Sequence, residues 1–539
     1  MTKIQLQHII KALIKSKPHS YKELMFVIRN ESGQFGFPSP EKSKLLSAYH
    51  SLLKNKKIKA SLELEKLLTK RAVRTMSGVA VLTVLTKPYP CPGKCVFCPT
   101  EARMPKSYLS NEPAVMRAIL NDFDPHRQIK MRLRALKANG HKTDKVELII
   151  IGGTWSAHTS QYKNWYIKRC FEALNGRVAS SLEQAQKTNE GAKHRCIGLT
   201  LETRPDFINQ KEILEMRKFG CTRVELGIQH IDNKILEYNK RGHTAERSIK
   251  AIRLLKEAGF KINMHFMPDL PGSTPAKDLA MFKKVFTHPD WMPDMIKVYP
   301  CVVNEHAQLY DWWKKGKYKP YSEKQLHKLL ISIKKITPEY VRITRLIRDI
   351  PEESISAGNS ITNLRQLLDN QSKTDGWACR CIRCREVGRH HQVPQSIDNL
   401  ILKIRTYQAN EGVEYFISYE SKDEKVLYAF LRLRIDDKNS PPVRGGEVAK
   451  GDRGGGSFIP ELVGAGLVRE LHTYGKLTEI GHKGNVQHGG LGTMLLKKAE
   501  EICLHDGLNK MAIIAGVGVR KYYEKFGYEL EGTYMTKYL

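Results

Sequence analysis

Cys91-Pro-Gly-Lys-Cys95-Val-Phe-Cys98-Pro-Thr100 sets three thiols within eight residues, directly after the β-rich run Val79 to Leu85. Three cysteines at C-x3-C-x2-C do not pair off evenly as disulfides, and they lie too close together to serve separate elements. Thiolates are the usual protein ligands of iron–sulfur clusters, and a 4Fe–4S cluster has four irons to hold. Three ligands leave one iron open, which suits binding and cleavage of S-adenosylmethionine through its amino and carboxylate groups. A closed four-thiolate site suits electron transfer instead. Zinc or chance clustering are the alternatives, and the tight spacing behind a strand favours the cluster.

Working outward, strands alternate with helices from about Thr75. Val146-Glu-Leu-Ile-Ile-Ile runs into Gly152-Gly153-Thr154. Further strands are expected at Cys196 to Thr203, Val224 to Gln229 and Lys261 to Met267, and Lys297-Val-Tyr-Pro ends a fifth. Helical segments separate them, for example Ala245 to Ala258, closed by Gly259. Regular βα alternation predicts a parallel sheet forming a full or partial barrel. Chemistry then gathers at the carboxyl ends of the strands. The three cysteines follow the first strand, and Gly152, Glu202, Gln229 and Met267 fall at or near later strand ends.

A chain of 539 residues exceeds one core, so two to four domains are expected. No apolar run of about 18 residues is present, which predicts no membrane span. The N-terminus lacks a signal peptide's apolar stretch and cleavage site, and the chain is expected to be cytoplasmic. Eleven cysteines, several in two tight groups, favour metal ligation in a reducing compartment over disulfides. Cys170, Cys196, Cys221 and Cys503 read as small buried apolar residues.

The formal net charge is +33. Such an excess repels itself in a folded chain, and a polyanionic partner accounts for it, nucleic acid first. Charge alone does not separate RNA from DNA or anionic lipid. Residues 1–74 hold sixteen Lys/Arg against five Asp/Glu, a net of +11. Ile4, Ile9, Ile10 and Leu13, then Leu45, Leu46, Tyr49, Leu52 and Leu53, recur there at helical spacing. A small helical domain with a basic, RNA-binding face is expected, a merely solvated bundle being the alternative.

Trp377-Ala-Cys379-Arg-Cys381-Ile-Arg-Cys384 supplies three ligands to a tetrahedral zinc that needs four. A second iron–sulfur cluster is the competing reading. Beyond about Pro394, strands are expected at Tyr415 to Tyr419 and Val426 to Arg434. The Gly- and Pro-rich stretch Asn439 to Ser457 reads as a mobile loop. Gln487-His488-Gly489-Gly490-Leu491-Gly492-Thr then opens a helix, Met494 to Leu504. A Q-x-x-G-x-G turn at a helix start aims backbone N–H groups and the positive dipole end at a pyrophosphate. The strand Lys510 to Ala515 follows, then Gly516-Val-Gly-Val-Arg-Lys-Tyr522-Tyr523-Glu-Lys-Phe-Gly-Tyr. This order resembles a GNAT acetyltransferase, whose pyrophosphate belongs to acetyl-coenzyme A. Adjacent helical residues face about 100° apart, so one of the two tyrosines is expected to pack and the other to reach the thioester.

From about residue 75 onward the chain resembles the Elongator catalytic subunit family. The resemblance rests on Cys91 to Thr100, Asn111-Glu-Pro-Ala-Val-Met-Arg-Ala, Asp124-Pro-His-Arg-Gln, Gly152-Gly-Thr-Trp, Glu202-Thr-Arg-Pro-Asp, Glu225-Leu-Gly-Ile-Gln-His and Met267-Pro-Asp-Leu-Pro-Gly, in that order. With the basic helical, tRNA-binding region read from charge and spacing over 1–74, it implies a multidomain α/β chain: a radical S-adenosylmethionine domain of full or partial TIM-like barrel form over 75–345, a zinc-binding linker over 346–393 and a GNAT domain over 394–539. It implies that Gly152, Gly153 and Thr154 contact the methionine end of S-adenosylmethionine, with Glu202 and Gln229 toward the ribose and Arg204 toward the carboxylate. It makes Cys301 the fourth zinc ligand. The residues Gln487 to Gly492, with Tyr522 and Tyr523, would serve acetyl-coenzyme A, the tyrosines catalytically. The implied activity is carboxymethylation of the tRNA wobble uridine at carbon 5. A lysine acetyltransferase with a structural cluster and an RNA-binding scaffold with inactive sites are the other readings. Elongator-like accessory subunits are compatible with the resemblance but not implied by the sequence.

Overall fold

The computed structural model describes residues 1–69, 78–390, 399–436, 457–474 and 490–539. The boundaries expected at 74/75 and 393/394, and all of the stretch Asn439 to Ser457 except Ser457 itself, lie outside these residues.

Helices Lys3–Ser16, Tyr21–Gln34, Lys42–Lys54 and Leu62–Leu68 form a bundle with its own core. Ile9, Ile10, Leu13, Leu45, Leu46, Tyr49 and Leu52 are buried there, as their helical spacing predicts, whereas Ile4 stays exposed. Thr2 starts the first helix with a capping box, its hydroxyl on the Gln5 N–H and the Gln5 side chain on the Thr2 N–H.

Seven strands follow: β1 (Ala80–Leu85), β2 (Lys145–Ile151), β3 (Arg195–Thr203), β4 (Arg223–Gln229), β5 (Lys261–Phe266), β6 (Met295–Val298) and β7 (Arg342–Arg345). They pair in chain order, all parallel, and the sheet does not close β7 onto β1. The result is a half-barrel. Side chains alternate along each strand. Val146, Leu148 and Ile150 of β2 and Val224, Leu226 and Ile228 of β4 join the core formed with helix residues such as Tyr166, Ile213 and Ile252. Polar residues occupy many of the alternate positions: Lys145 and Glu147 on β2 (before Ile149 and Ile151), Arg223 and Glu225 on β4, Asn263 and His265 on β5. A closed barrel fills that space with branched apolar residues; this one keeps a polar interior.

The C-terminal sheet has the order β13-β14-β12-β11-β10-β9-β8. Its strands are β8 (Leu400–Gln408), β9 (Gly412–Ser421), β10 (Leu427–Asp436), β11 (Ala465–Thr473), β12 (Lys510–Ile513), β13 (Glu529–Glu531) and β14 (Tyr534–Tyr538). Only β11 and β12 are parallel to each other. Among the described residues their pairing ends at Val468 opposite Ile513, and β11 runs on to Thr473 with no strand paired on that side.

This sheet sits beneath the N-terminal ends of the half-barrel strands. Gly516 and Gly518 lie so close to the start of β3 that a Cβ at Gly516 would overlap the Ile197 carbonyl, and one at Gly518 would lie 2.9 Å from Cys196 backbone atoms. Arg469 reaches across to Asp294 (2.5 Å) and to the Phe260 carbonyl (2.6 Å), and also pairs with Glu414 (2.8 Å). Arg432 donates to the Tyr340 carbonyl. Burial alone would raise the Asp294 carboxyl, but Arg469, Arg432 and Lys256 outweigh it and hold it well below the usual range. A buried ion cluster that loses one member leaves the others unpaired. Asp294→Ala should therefore cost about 3–5 kcal/mol in chemical denaturation. Asp294's depressed value means that its contribution is full above about pH 4 and is lost as the pH falls toward that value. An unchanged midpoint in the variant would contradict this role.

Candidate cofactor sites

The loop after β1 carries the three thiols to the C-terminal ends of the half-barrel strands. Cys95 is buried; Cys91 and Cys98 are half-buried. Burial, with Cys95 close by, pushes the Cys98 thiol up to about 11. Donors ring the group. Arg241 Nη1 lies 3.5 Å from Cys95 Sγ, the Gly93 N–H 3.4 Å from Cys91 Sγ, and the Thr154 hydroxyl 3.6 Å from Cys91 Sγ. Lys106 donates to the Gly93 carbonyl at 2.7 Å. This positive, donor-rich setting suits thiolates gathered on an anionic cluster.

The other expected residues assemble around this loop. Gly152 has φ +139° and Gly153 +90°, backbone that favours glycine. A Cβ at Gly152 would overlap the Thr86 hydroxyl. Arg204 is held by Asp206 in two hydrogen bonds (2.9 and 3.0 Å) and donates to the Arg241 carbonyl, while its Nη1 is buried without a partner among the described residues. That nitrogen presses on Gly93, beside Cys91. Gln229 adopts φ +72°, and its Oε1 is likewise buried and unpartnered among the described residues. Glu202 differs, because its Oε2 already accepts from the Tyr108 hydroxyl at 2.6 Å.

Glu202 belongs to a cluster absent from the sequence-based expectation: Glu202, Glu225 and His265 meet inside the half-barrel. His265 Nε2 lies 3.2 Å from Glu225, and Lys297 pairs with the same carboxylate. Burial would raise Glu225, but Lys297 and His265 hold it well below the usual carboxylate range. The signal was present in the alternation of polar and apolar residues along β4 and β5.

Cys379, Cys381 and Cys384 bring their sulfurs within 4.8 Å of one another. Hydrogen bonds from the other two thiols hold Cys381 well below the usual thiol range. The triad lies at the base of β7, where the Ile382 N–H bonds the Val341 carbonyl. Cys301 does not join it. The residue follows β6 at the opposite end of the half-barrel, where its N–H bonds the Pro268 carbonyl and its side chain packs with Val303, Leu309 and Tyr318. The expected fourth ligand is therefore corrected: Tyr299-Pro-Cys301 folds over the upper rim and cannot descend to the triad.

In the C-terminal sheet, Gly490 (φ +85°) is the N-cap of helix Leu491–His505. Leu491 is buried. Gln487, His488 and Gly489 lie outside the described residues. A Cβ at Gly492 would stand 2.8 Å from the Tyr522 hydroxyl. The two tyrosines separate as their helical spacing predicts. Tyr523 is 7% exposed and joins the core with Tyr528, whereas Tyr522 is 38% exposed. Burial raises both hydroxyls' proton affinity, so both are proton donors at neutral pH. Gly490, Gly492 and Tyr522 line a cavity of about 440 Å³ with β11 and the underside of the half-barrel, a volume suited to a cofactor.

Residues 89–284 match the Radical SAM superfamily, 293–374 the Radical SAM C-terminal domain and 404–528 the Acetyltransferase (GNAT) family. The chain is 45% identical over 487 residues to a tRNA uridine(34) acetyltransferase of Methanocaldococcus jannaschii, covering 88% of this chain and 87% of that one. It is 38% identical over 488 residues to Elongator complex protein 3 of Danio rerio, covering 87% and 85%. Its structure is similar to that of archaeal Methanocaldococcus infernus Elp3 lacking its N-terminus, with TM-score 0.73, 41% identity and coverage of 86% of this chain and 100% of that one. Among the described residues, no helix is long and apolar enough to cross a membrane.

Proposed function

The chain belongs to the family of the tRNA uridine(34) acetyltransferases and Elongator complex protein 3, and from that premise we propose that it forms 5-carboxymethyluridine at the wobble position of tRNA. It is a radical S-adenosylmethionine enzyme with a GNAT acetyltransferase domain. The observation that carries the reading is the pairing of two sites on one half-barrel: three thiols ringed by cations at one end, and a glycine-capped helix over a cofactor-sized cavity at the other.

Cys91, Cys95 and Cys98 would hold a 4Fe–4S cluster. When bound, that cluster with S-adenosylmethionine supplies the deoxyadenosyl radical that takes a hydrogen atom from the acetyl methyl group. Gly152 and Gly153 let the backbone approach the methionine amino group, beside Thr154. Arg204, with its free Nη1, would take the carboxylate, and Gln229, with its free Oε1, would take a ribose hydroxyl. Glu202 would reach the ribose only through the oxygen that Tyr108 does not occupy. Gly490 and Gly492, with the preceding Gln487, His488 and Gly489, would cradle the pyrophosphate of acetyl-coenzyme A. Tyr522 would donate its proton to the departing thiolate, and Tyr523 would hold Tyr522 in place. Cys379, Cys381 and Cys384 would hold a zinc ion; metal analysis should find zinc in the wild type and none in Cys381→Ser, and iron at that site would overturn the assignment.

In this reading, residues 1–74 bind tRNA, 75–345 form the radical domain, 346–393 the zinc linker and 394–539 the acetyltransferase domain of a cytoplasmic enzyme. Nucleoside mass spectrometry of tRNA incubated with reduced protein, S-adenosylmethionine and acetyl-coenzyme A should detect the carboxymethyl nucleoside at position 34. Deleting residues 1–74 should weaken tRNA binding while sparing acetyl-coenzyme A binding, and full-length affinity should fall steeply with salt. Unmodified tRNA, with both co-substrates present, would reject the proposed activity.

A further inference from the structure

A row of aromatic rings crosses the upper rim of the half-barrel. Tyr89 stands two residues before Cys91, in the loop after β1. His158 closes the turn Trp155–Ala157 after β2, and Tyr162 and Trp165 lie three residues apart on helix Ser160–Asn175, a spacing that sets them side by side. Ring centroids stand 4.5 Å apart from Tyr89 to His158, 4.7 Å from His158 to Tyr162 and 5.7 Å from Tyr162 to Trp165, with planes tilted by 40°, 31° and 33°. Buried Trp155 and Tyr166 bear on the row from below. The Tyr162 hydroxyl is fixed, accepting from the Lys87 N–H at 3.1 Å.

The middle of the row packs, and its ends do not. His158 is buried, whereas Tyr89 is 37% and Trp165 43% exposed. Among the described residues no ring other than His158 lies against Tyr89. Rings of this size are mostly covered in folded proteins, so an ordered row with open ends points to a partner. Charge selects its class. Neither residues 87–100 nor residues 152–171 contain an Asp or Glu. Lys87 stands over the Tyr162 ring at 4.7 Å, and Lys94 is exposed in the thiol loop. Lys163 is turned inward to Glu212 and Glu215. Burial, with Lys87 and Lys163, lowers His158 to about 4, so its ring stacks as the neutral imidazole. Neutral rings beside cations, on segments free of carboxylates, suit unpaired nucleobases and their phosphates. A duplex keeps its base faces stacked on one another and has none to offer.

Resting on the tRNA reading above, we infer that this row is a base-stacking subsite: the open face of Tyr89 takes an unpaired base next to the target uridine, and Trp165 takes a second one farther from the thiols. Two residues of chain span at most about 7 Å, so a base on Tyr89 lies beside the thiol loop, where the target base has to arrive. The Thr154 hydroxyl, 3.6 Å from Cys91 Sγ, begins the turn that ends at His158 and ties the row to the same rim. Neighbouring bases held on these rings cannot restack on the target, so the subsite keeps the uridine splayed out. The basic surface supplies attraction to phosphates; the row adds affinity without releasing counterions.

The test uses full-length protein and a tRNA anticodon stem–loop in which single loop bases are removed to leave abasic sites. Wild-type protein should lose about five- to hundredfold in affinity when a base flanking the target is removed. Tyr89→Ala and Trp165→Ala should each lose a comparable factor on the intact hairpin, with the slope of log affinity against log salt unchanged. Each variant should then be insensitive to removal of the base it stacks, so that the two losses do not multiply. Tyr89→Phe and Trp165→Phe, which keep a ring, should bind as wild type does. If the alanine variants bind the intact hairpin as wild type does, or if their losses multiply with every abasic site, no base sits on the row and the inference is wrong; a protein partner is then the occupant. A loss accompanied by a shallower salt slope would make the contacts electrostatic and would also overturn it. If wild type binds neither the hairpin nor tRNA, the proposed function fails first and the subsite with it.

Discussion

Cys91→Ala, Cys95→Ala or Cys98→Ala protein should form no deoxyadenosine from S-adenosylmethionine and should leave tRNA unmodified. Each thiolate would be a ligand that no neighbour can replace, because the groups around the loop are cations and hydroxyls: Arg241, Lys106, Arg204 and Thr154. Losing one of three ligands should bleach the iron–sulfur absorbance of reconstituted protein. The fold should survive, since Cys91 and Cys98 are half-buried and the loop packs outside the main core. Acetyl-coenzyme A binding, at the other end of the half-barrel, should be unchanged. Deoxyadenosine at the wild-type rate from the triple variant would refute the assignment of the cluster to these thiols.

The second large effect is expected at Gly492. A Cβ there stands 2.8 Å from the Tyr522 hydroxyl, so any side chain displaces the tyrosine. Glutamate also sets a negative charge in the first turn of helix Leu491–His505, where N–H groups and the helix dipole would otherwise face pyrophosphate. Losing charge-assisted hydrogen bonds costs about 1.5–3 kcal/mol, and repulsion adds to it. Gly492→Glu should thus weaken acetyl-coenzyme A binding by about a hundredfold or more in calorimetry. tRNA binding and deoxyadenosine formation should persist. Wild-type affinity in this variant would move the pyrophosphate away from the helix start.

Much of this architecture is legible in the chain. The half-barrel strands are short apolar runs ending in glycine or polar residues, and the N-terminal bundle announces itself by helical spacing. Cys170, Cys196, Cys221 and Cys503 are buried as their helix and strand patterns suggest, and Cys379, Cys381 and Cys384 come together as their spacing suggests. Cys301 shows where the resemblance stops: it implied this residue as the fourth zinc ligand, whereas topology sends the end of β6 and the triad to opposite ends of the half-barrel. Tyr522 and Tyr523 are identical in type, and the packing of the fold, Tyr528 against Tyr523 included, decides which is buried.

The glycines at Gly516 and Gly518 set a limit on modularity. Their backbone meets β3 with no room for a side chain, so the seam between the two catalytic halves is backbone against backbone. Recombining the barrel of one relative with the acetyltransferase sheet of another would need this close fit, and the ion cluster beside it, to be matched on both sides. The two activities are expected to be inherited as one unit, and chimeras cut between them should be assembled with the seam residues from a single parent.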